Sequence, residues 1–187
     1  SIQRWNDHFR PHKGFTELDK QAHKLFYMYA LKKFEPDGSL DEQLLIEGCI
    51  FEYLHRVILT DIKPPVFHKL MAEKGEQINR WVLEVLRPAC EPVAGGFYQK
   101  FQQYLLDPEY AKQEKRIISA AHYLATAWEF SIVYSFSSGL YGIQSVKEEI
   151  DAEIAPYFSL PSVQRSSGVK GREQRCTRYT SPREVST

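Results

Sequence analysis

Glu52 is a carboxylate in an otherwise apolar helical stretch, with Leu45 and Cys49 close before it. A carboxylate buried there needs a cation, hydrogen bonds or a metal to offset lost hydration. Two readings follow. One is an ion pair with a lysine or arginine, Arg56 four residues on being the nearest candidate. The other is a role in a site. The same stretch carries His55 and runs out through Thr60-Asp61-Ile62-Lys63-Pro64-Pro65-Val66. Asp61 either caps the next turn or holds a water or a sugar hydroxyl. His23 and His122 lie in two further helical stretches, Gln21 to Leu31 and Ile117 to Trp128. A lone helical histidine is more often a satisfied core or surface residue than a ligand; His8, His12 and His68 are read that way. No HExxH, CxxC, nucleophile elbow, phosphate-binding loop or dinucleotide fingerprint is present.

The elements that must position these groups read as helices, without convincing strand alternation. Thr16-Glu17-Leu18-Asp19 is an approximate capping box opening a helix that runs to about 34. Glu35-Pro36-Asp37-Gly38 makes a turn. Ser39-Leu40-Asp41-Glu42 reads as a second capping box, for a helix over 40–58. Its apolar residues point in nearly all directions, which predicts a central, buried helix. The Pro64-Pro65 pair enforces a break. Further helices are expected over 66–87, over 97–106 after the Gly95-Gly96 turn, from Pro108 to about Ser135, and over 146–157 with Ser145-Val146-Lys147-Glu148 as its cap. The small, apolar middle of the fifth, around Ala120, Ala121 and Ala125, predicts that it too is buried. Phe97, Tyr98, Phe101 and Tyr104 recur at helical spacing; packing onto the core is the first reading and base stacking the weaker one.

Length and composition suit one domain. Hydrophobic residues make up 43% and aromatic residues 13% of the 187, enough for a sizeable core. Lysine plus arginine balances aspartate plus glutamate at 24 each, so overall charge gives no reason to expect nucleic acid or an anionic membrane as partner. No apolar run approaches a membrane span, and the first residues read as polar rather than as a secretory signal. Cys49, Cys90 and Cys176 are few, odd in number and far apart, which suits a reducing, cytoplasmic setting, with Cys49 a small core residue. From Pro161 onward Ser, Arg, Thr and Gly replace the aliphatics. The expected organisation is therefore an all-α domain over 1–160 and a basic, weakly ordered tail over 161–187.

Three segments together resemble the HD-domain phosphohydrolases, in their 5'-deoxynucleotidase-like branch. Ala22-His23-Lys24-Leu25 is similar to the first histidine helix of that family. Val57 to Val66, with Asp61-Ile62-Lys63-Pro64-Pro65-Val66, is similar to the segment following its His-Asp pair. Ile118 to Ala125 is similar to its late helix, with Glu129 following. The resemblance covers roughly residues 16–157 and implies a single-domain HD-type helical bundle that self-associates. The departures are specific. The His-Asp pair falls on Glu52-Tyr53, the late aspartate on His122, and the glutamate after the pair on Arg56. Tyr53 is no easy replacement for a carboxylate, its reference pKa being about 10.

What the resemblance implies is a metal site of His23, Glu52 and His122, a two-histidine, one-carboxylate set suited to Mn, Co, Fe or Zn. Asp61 would orient or deprotonate a water, and Arg56, with His55 beside it, would hold a phosphate oxygen. The expected activity is hydrolysis of a nucleotide or related phosphomonoester. The alternative is an HD-fold protein without catalysis that serves as a binding or regulatory module, in which Glu52, Arg56 and His122 are structural polar groups.

Overall fold

A computed structural model of the chain describes residues 15–36, 38–59, 62, 64–137 and 142–160. Among these it contains six α-helices and a closing 3-10 turn: α1 (Glu17–Lys32), α2 (Glu42–Ile58), α3 (Pro64–Cys90), α4 (Phe97–Leu106), α5 (Lys112–Ser137), α6 (Ile143–Ile154) and the 3-10 turn Ala155–Ser159. The expected all-α architecture is thus what forms. No described helix is long and apolar enough to cross a membrane. The predicted tail over 161–187 lies outside the described residues.

Local chemistry sets the boundaries. Thr16 and Asp19 close a reciprocal capping box at the start of α1: Thr16 Oγ1 accepts from Asp19 N at 3.2 Å, and Asp19 Oδ2 accepts from Thr16 N at 2.9 Å. The Thr16 hydroxyl, which donates to Asp19 Oδ2 at 2.6 Å, and second the Thr16 amide hold the Asp19 carboxyl below its ordinary pKa. The expected Ser39 box does not form. Asp41 caps α2 by accepting from Leu44 N at 3.1 Å, while Ser39 Oγ donates to Pro36 O at 2.7 Å. An aspartate two residues nearer the helix competes better for its free amides.

Further boundaries differ from expectation: α6 begins at Ile143 after Gly142, so that Ser145 lies inside it with Oγ donating to Gly142 O at 2.7 Å, and α3 runs past Pro88 to Cys90. Helix α3 begins at Pro64 itself, because a first-turn residue has no intrahelical N–H bond to lose. Helix α5 starts at Lys112 rather than near Pro108. Asp107 Oδ1 accepts from Glu109 N at 2.9 Å, and Ala111 takes a left-handed φ of 55°, so the chain turns before it can wind. Gly95 and Gly96, at φ 75° and 69°, make the expected turn into α4.

The central helix is α5, which packs on α1, α2 and α6. Its buried face is Ile117, Ile118, Ala120, Ala121 and Ala125; the small residues let neighbouring backbones approach. Helix α2 is not buried all round as its composition predicts. Leu45, Gly48, Cys49, Phe51 and His55 face inward, but Ile46 and Ile50 are exposed. The aromatic set of α4 packs inward: Phe51 stacks on Phe101 with centroids 5.0 Å apart, and Tyr98, Phe101 and Tyr104 are buried, so they do not serve as a base-stacking platform.

Among the described glycines, Gly48 has the tightest surroundings. A Cβ added there would meet Ile118 Cδ1 at 2.5 Å and Tyr104 Cε2 at 3.0 Å, whereas one at Gly75 would meet only Met71 Cε at 3.5 Å. Gly→Ala in a helix ordinarily gains ~0.5–1 kcal/mol, but overpacking a core costs ~1–3 kcal/mol. Gly48→Ala is therefore expected to destabilise by about 1 kcal/mol, read from the urea-unfolding midpoint.

Candidate functional site

The inward face of α1 is unusual for its polarity. Glu17, Lys20, Gln21 and Lys24 are all buried, and only Met28 and Leu31 continue that face with apolar side chains. Lys24 is fully buried, and its ammonium lies 3.0 Å from Glu52 Oε2 of α2. The same nitrogen is 3.5 Å from the Cys49 carbonyl. The other carboxylate oxygen, Glu52 Oε1, accepts from the Tyr104 hydroxyl of α4 at 3.0 Å. Three helices thus meet on one carboxylate, whose side chain keeps 31% of its surface in water.

The electrostatic consequences reach the neighbours. Burial first, then the Glu52 carboxylate, pushes the Tyr104 phenol far above its ordinary pKa. Burial likewise raises the Cys49 thiol to about 11, against the opposing pull of Lys24. Lys115 lies over the Tyr104 ring at 4.9 Å and donates to Asp107 O at 2.8 Å; burial lowers its pKa.

A second buried ammonium serves His122. Lys20 Nζ lies 3.0 Å from His122 Nε2. An ammonium has donors only, so Nε2 accepts and the imidazole proton sits on Nδ1. His23 points elsewhere: its ring meets Trp128 edge-on at 4.4 Å, and its buried Nδ1 has no hydrogen-bond partner among the described residues. On the outer end of α2, His55 Nε2 and Asn79 Oδ1 are 2.9 Å apart, and Asn79 Nδ2 donates to Leu105 O at 2.9 Å. The amide orientation that satisfies Leu105 makes Oδ1 the acceptor, so His55 is the donor. The Arg56 guanidinium lies 5.7 Å over the Phe67 ring.

The residues singled out from sequence are therefore divided. Glu52 and His122 each sit beside a lysine of α1; His23 packs on Trp128; His55 and Arg56 belong to the junction of α2 with α3; Asp61 lies outside the described residues. Among the described residues no three His, Cys, Asp or Glu converge as a metal site. Glu52 makes the ion pair its burial demands, but with Lys24 of another helix and not with Arg56. Lys20, Lys24 and Tyr104 are the partners that sequence reasoning missed. A signal existed for the lysines: with Met28 and Leu31 they fall on one helical stripe, the stripe that faces inward. Compared with protein-family models, curated proteins and solved structures, the chain matches none.

Removing one partner of a buried pair leaves the other charge uncompensated and costs ~3–5 kcal/mol when both are fully buried. With Glu52 partly hydrated, Glu52→Ala is expected to cost about 2–3 kcal/mol in urea unfolding. The double variant Lys24→Met/Glu52→Leu should recover most of that loss.

His55 supplies a pH signature. Burial first lowers its pKa from the ordinary 6.5, against the Asn79 bond and the Glu52 charge, while Arg56 adds to the lowering. The unfolded chain then binds the proton more readily than the native one. His55's contribution to stability is complete above pH 6.5 and lost as pH falls from there through its lower native pKa. The difference in unfolding free energy between wild type and His55→Gln should accordingly shrink across that interval, followed by urea titrations at successive pH values.

Proposed function

We propose that this chain is a non-catalytic binding or regulatory module on an HD-like helical scaffold. The observation that carries the reading is the pair of buried lysines. Lys24 neutralises Glu52, and Lys20 occupies the Nε2 lone pair of His122. Two of the three side chains that the family resemblance assigns to a metal thus each have one donor atom taken by an ammonium group, Glu52 Oε2 and His122 Nε2. A lysine balances the charge of a carboxylate, but it has no open coordination position from which to polarise a phosphate or acidify a water. Among the described residues no three donors converge to hold a metal.

What the arrangement offers is a polar interior held by α1, α2, α4 and α5, with the partly hydrated Glu52 at its edge. In this reading the ligand class retained from the resemblance is a nucleotide or related phosphate-bearing molecule, recognised without turnover. A hydrolase reading keeps one observation in its favour, the buried His23 Nδ1 without a hydrogen-bond partner among the described residues.

Elemental analysis after loading with Mn²⁺, Co²⁺ or Zn²⁺ and dialysis separates the two. The module reading expects no stoichiometric metal, no phosphate release from a nucleotide panel, and a rise in melting temperature with at least one nucleotide. Metal near one equivalent that disappears in His122→Ala, accompanied by phosphate release, would establish the hydrolase instead. Absence of any nucleotide-dependent melting shift would rule out this ligand class for the module.

A further inference from the structure

The Glu52 side chain is held at both oxygens and is still partly in water. Oε2 lies 3.0 Å from the buried Lys24 ammonium, and Oε1 accepts from the Tyr104 hydroxyl at 3.0 Å. Burial and the carboxylate itself keep the Tyr104 phenol protonated, so it stays a donor. Each carboxylate oxygen accepts roughly two hydrogen bonds. Lys24 and Tyr104 take one on each oxygen and are the hydrogen-bond partners of Glu52 among the described residues. The remaining capacity is one acceptor position per oxygen, side by side. That pattern suits a ligand with two neighbouring donors.

Two observations narrow the donors. The first is charge. Lys24 already balances the carboxylate, so a cationic ligand would add a second positive charge beside a buried ammonium. Neutral donors form the same bonds without that cost. The second is the lack of a ring face. Tyr104 is the ring that touches Glu52, but it is only 6% exposed, with Lys115 over it at 4.9 Å and Phe51 packed against it at 5.4 Å between centroids. It leaves a base nothing to stack on. The part of a nucleotide that fits beside Glu52 is then the sugar, whose vicinal hydroxyls are neutral, adjacent donors.

We propose that Glu52 receives the 2',3'-diol of a ribonucleotide, one hydroxyl donating to each carboxylate oxygen, so that the module takes ribonucleotides in preference to deoxyribonucleotides. Lys24 and Tyr104 act as positioning residues: they fix the plane of the carboxylate and touch no ligand atom in this arrangement. An acidic side chain holds a ribose hydroxyl in the same way in dinucleotide-binding folds. A deoxyribose would cover the carboxylate and leave one of its oxygens short of a bond, which is the situation in which a hydrogen-bonding site discriminates most strongly. The inference rests on the reading of the chain as a nucleotide-binding module and adds the sugar to it. The preference is the reverse of the one that the 5'-deoxynucleotidase-like resemblance implies.

The test varies the ligand, because changing Glu52 would strand Lys24. Titration calorimetry of the full chain compares AMP with dAMP and GMP with dGMP. Each ribonucleotide is expected to bind roughly tenfold or more tightly than its deoxy counterpart, whichever the base, and 3'-deoxy-AMP should show a similar loss. Tyr104→Phe keeps the Lys24 pair and frees Oε1. It should cut the ribose-to-deoxyribose ratio several-fold and leave deoxyribonucleotide affinity unchanged, whereas a merely structural role would weaken both alike. Equal affinity for the two sugars overturns the proposal and leaves the module reading standing, as does a preference that follows the base and not the sugar. A ratio that Tyr104→Phe leaves intact places the sugar contact elsewhere and overturns it too. Binding of no nucleotide at all removes both the proposal and the ligand class on which it rests.

Discussion

A fully buried ammonium is the constraint around which this helical body is arranged. Lys24 is removed from water on the inner face of α1, and such a charge persists only where an opposite charge and further acceptors surround it. Glu52 supplies the charge, the Cys49 carbonyl a weaker contact, and Tyr104 fixes the far oxygen of the carboxylate. Satisfying one nitrogen thereby sets the relative placement of α1, α2 and α4. The perturbed Tyr104 and Cys49 follow from it: both lose hydration beside a carboxylate, and their neutral forms are favoured.

The second organising element is the small-residue stretch of α5. Ala120, Ala121 and Ala125 allow α1 and α2 to approach closely, and Gly48 of α2 takes the side chain of Ile118 almost against its backbone. Close approach buries the polar groups carried by α1, which find partners on a neighbouring helix or on α1 itself. Lys20 meets His122, and Gln21 Nε2 donates to Glu17 Oε1 at 3.0 Å. At the other end of the hairpin, buried Glu114 of α5 accepts from the Asp41 backbone N–H at 3.0 Å and ties the start of α2 to the central helix. These ties cluster on one side of the hairpin. Among the described residues, Phe26, Tyr29, Ile46 and Ile50 of the hairpin are exposed.

Much of the architecture was legible in the chain itself. Thr16 and Asp19, Gly95 and Gly96, and the helical spacing from Phe97 to Tyr104 place helices where they form, because capping, left-handed turns and amphipathic periodicity are local properties. The same locality explains the errors at Ser39 and Pro108. Two nearby groups compete for the same backbone amides there, and the winner depends on how the chain enters the helix. That Glu52 must be compensated was readable from an isolated carboxylate among apolar neighbours. The identity of its partner was not, since Lys24 is far away in the chain and Arg56 is near.

The burial of α2 shows the same division. Its composition is apolar on nearly every side, and composition alone cannot say which side finds a neighbour. Packing on α1, α4 and α5 covers Leu45, Gly48 and Phe51 and leaves Ile46 and Ile50 in water. Sequence by itself determined the helices, most of their ends and the groups too costly to bury alone, all of which depend on residues within a few turns of one another. Only the tertiary structure decided which charges meet and which apolar face stays open, because those outcomes depend on distances between residues that are remote along the chain.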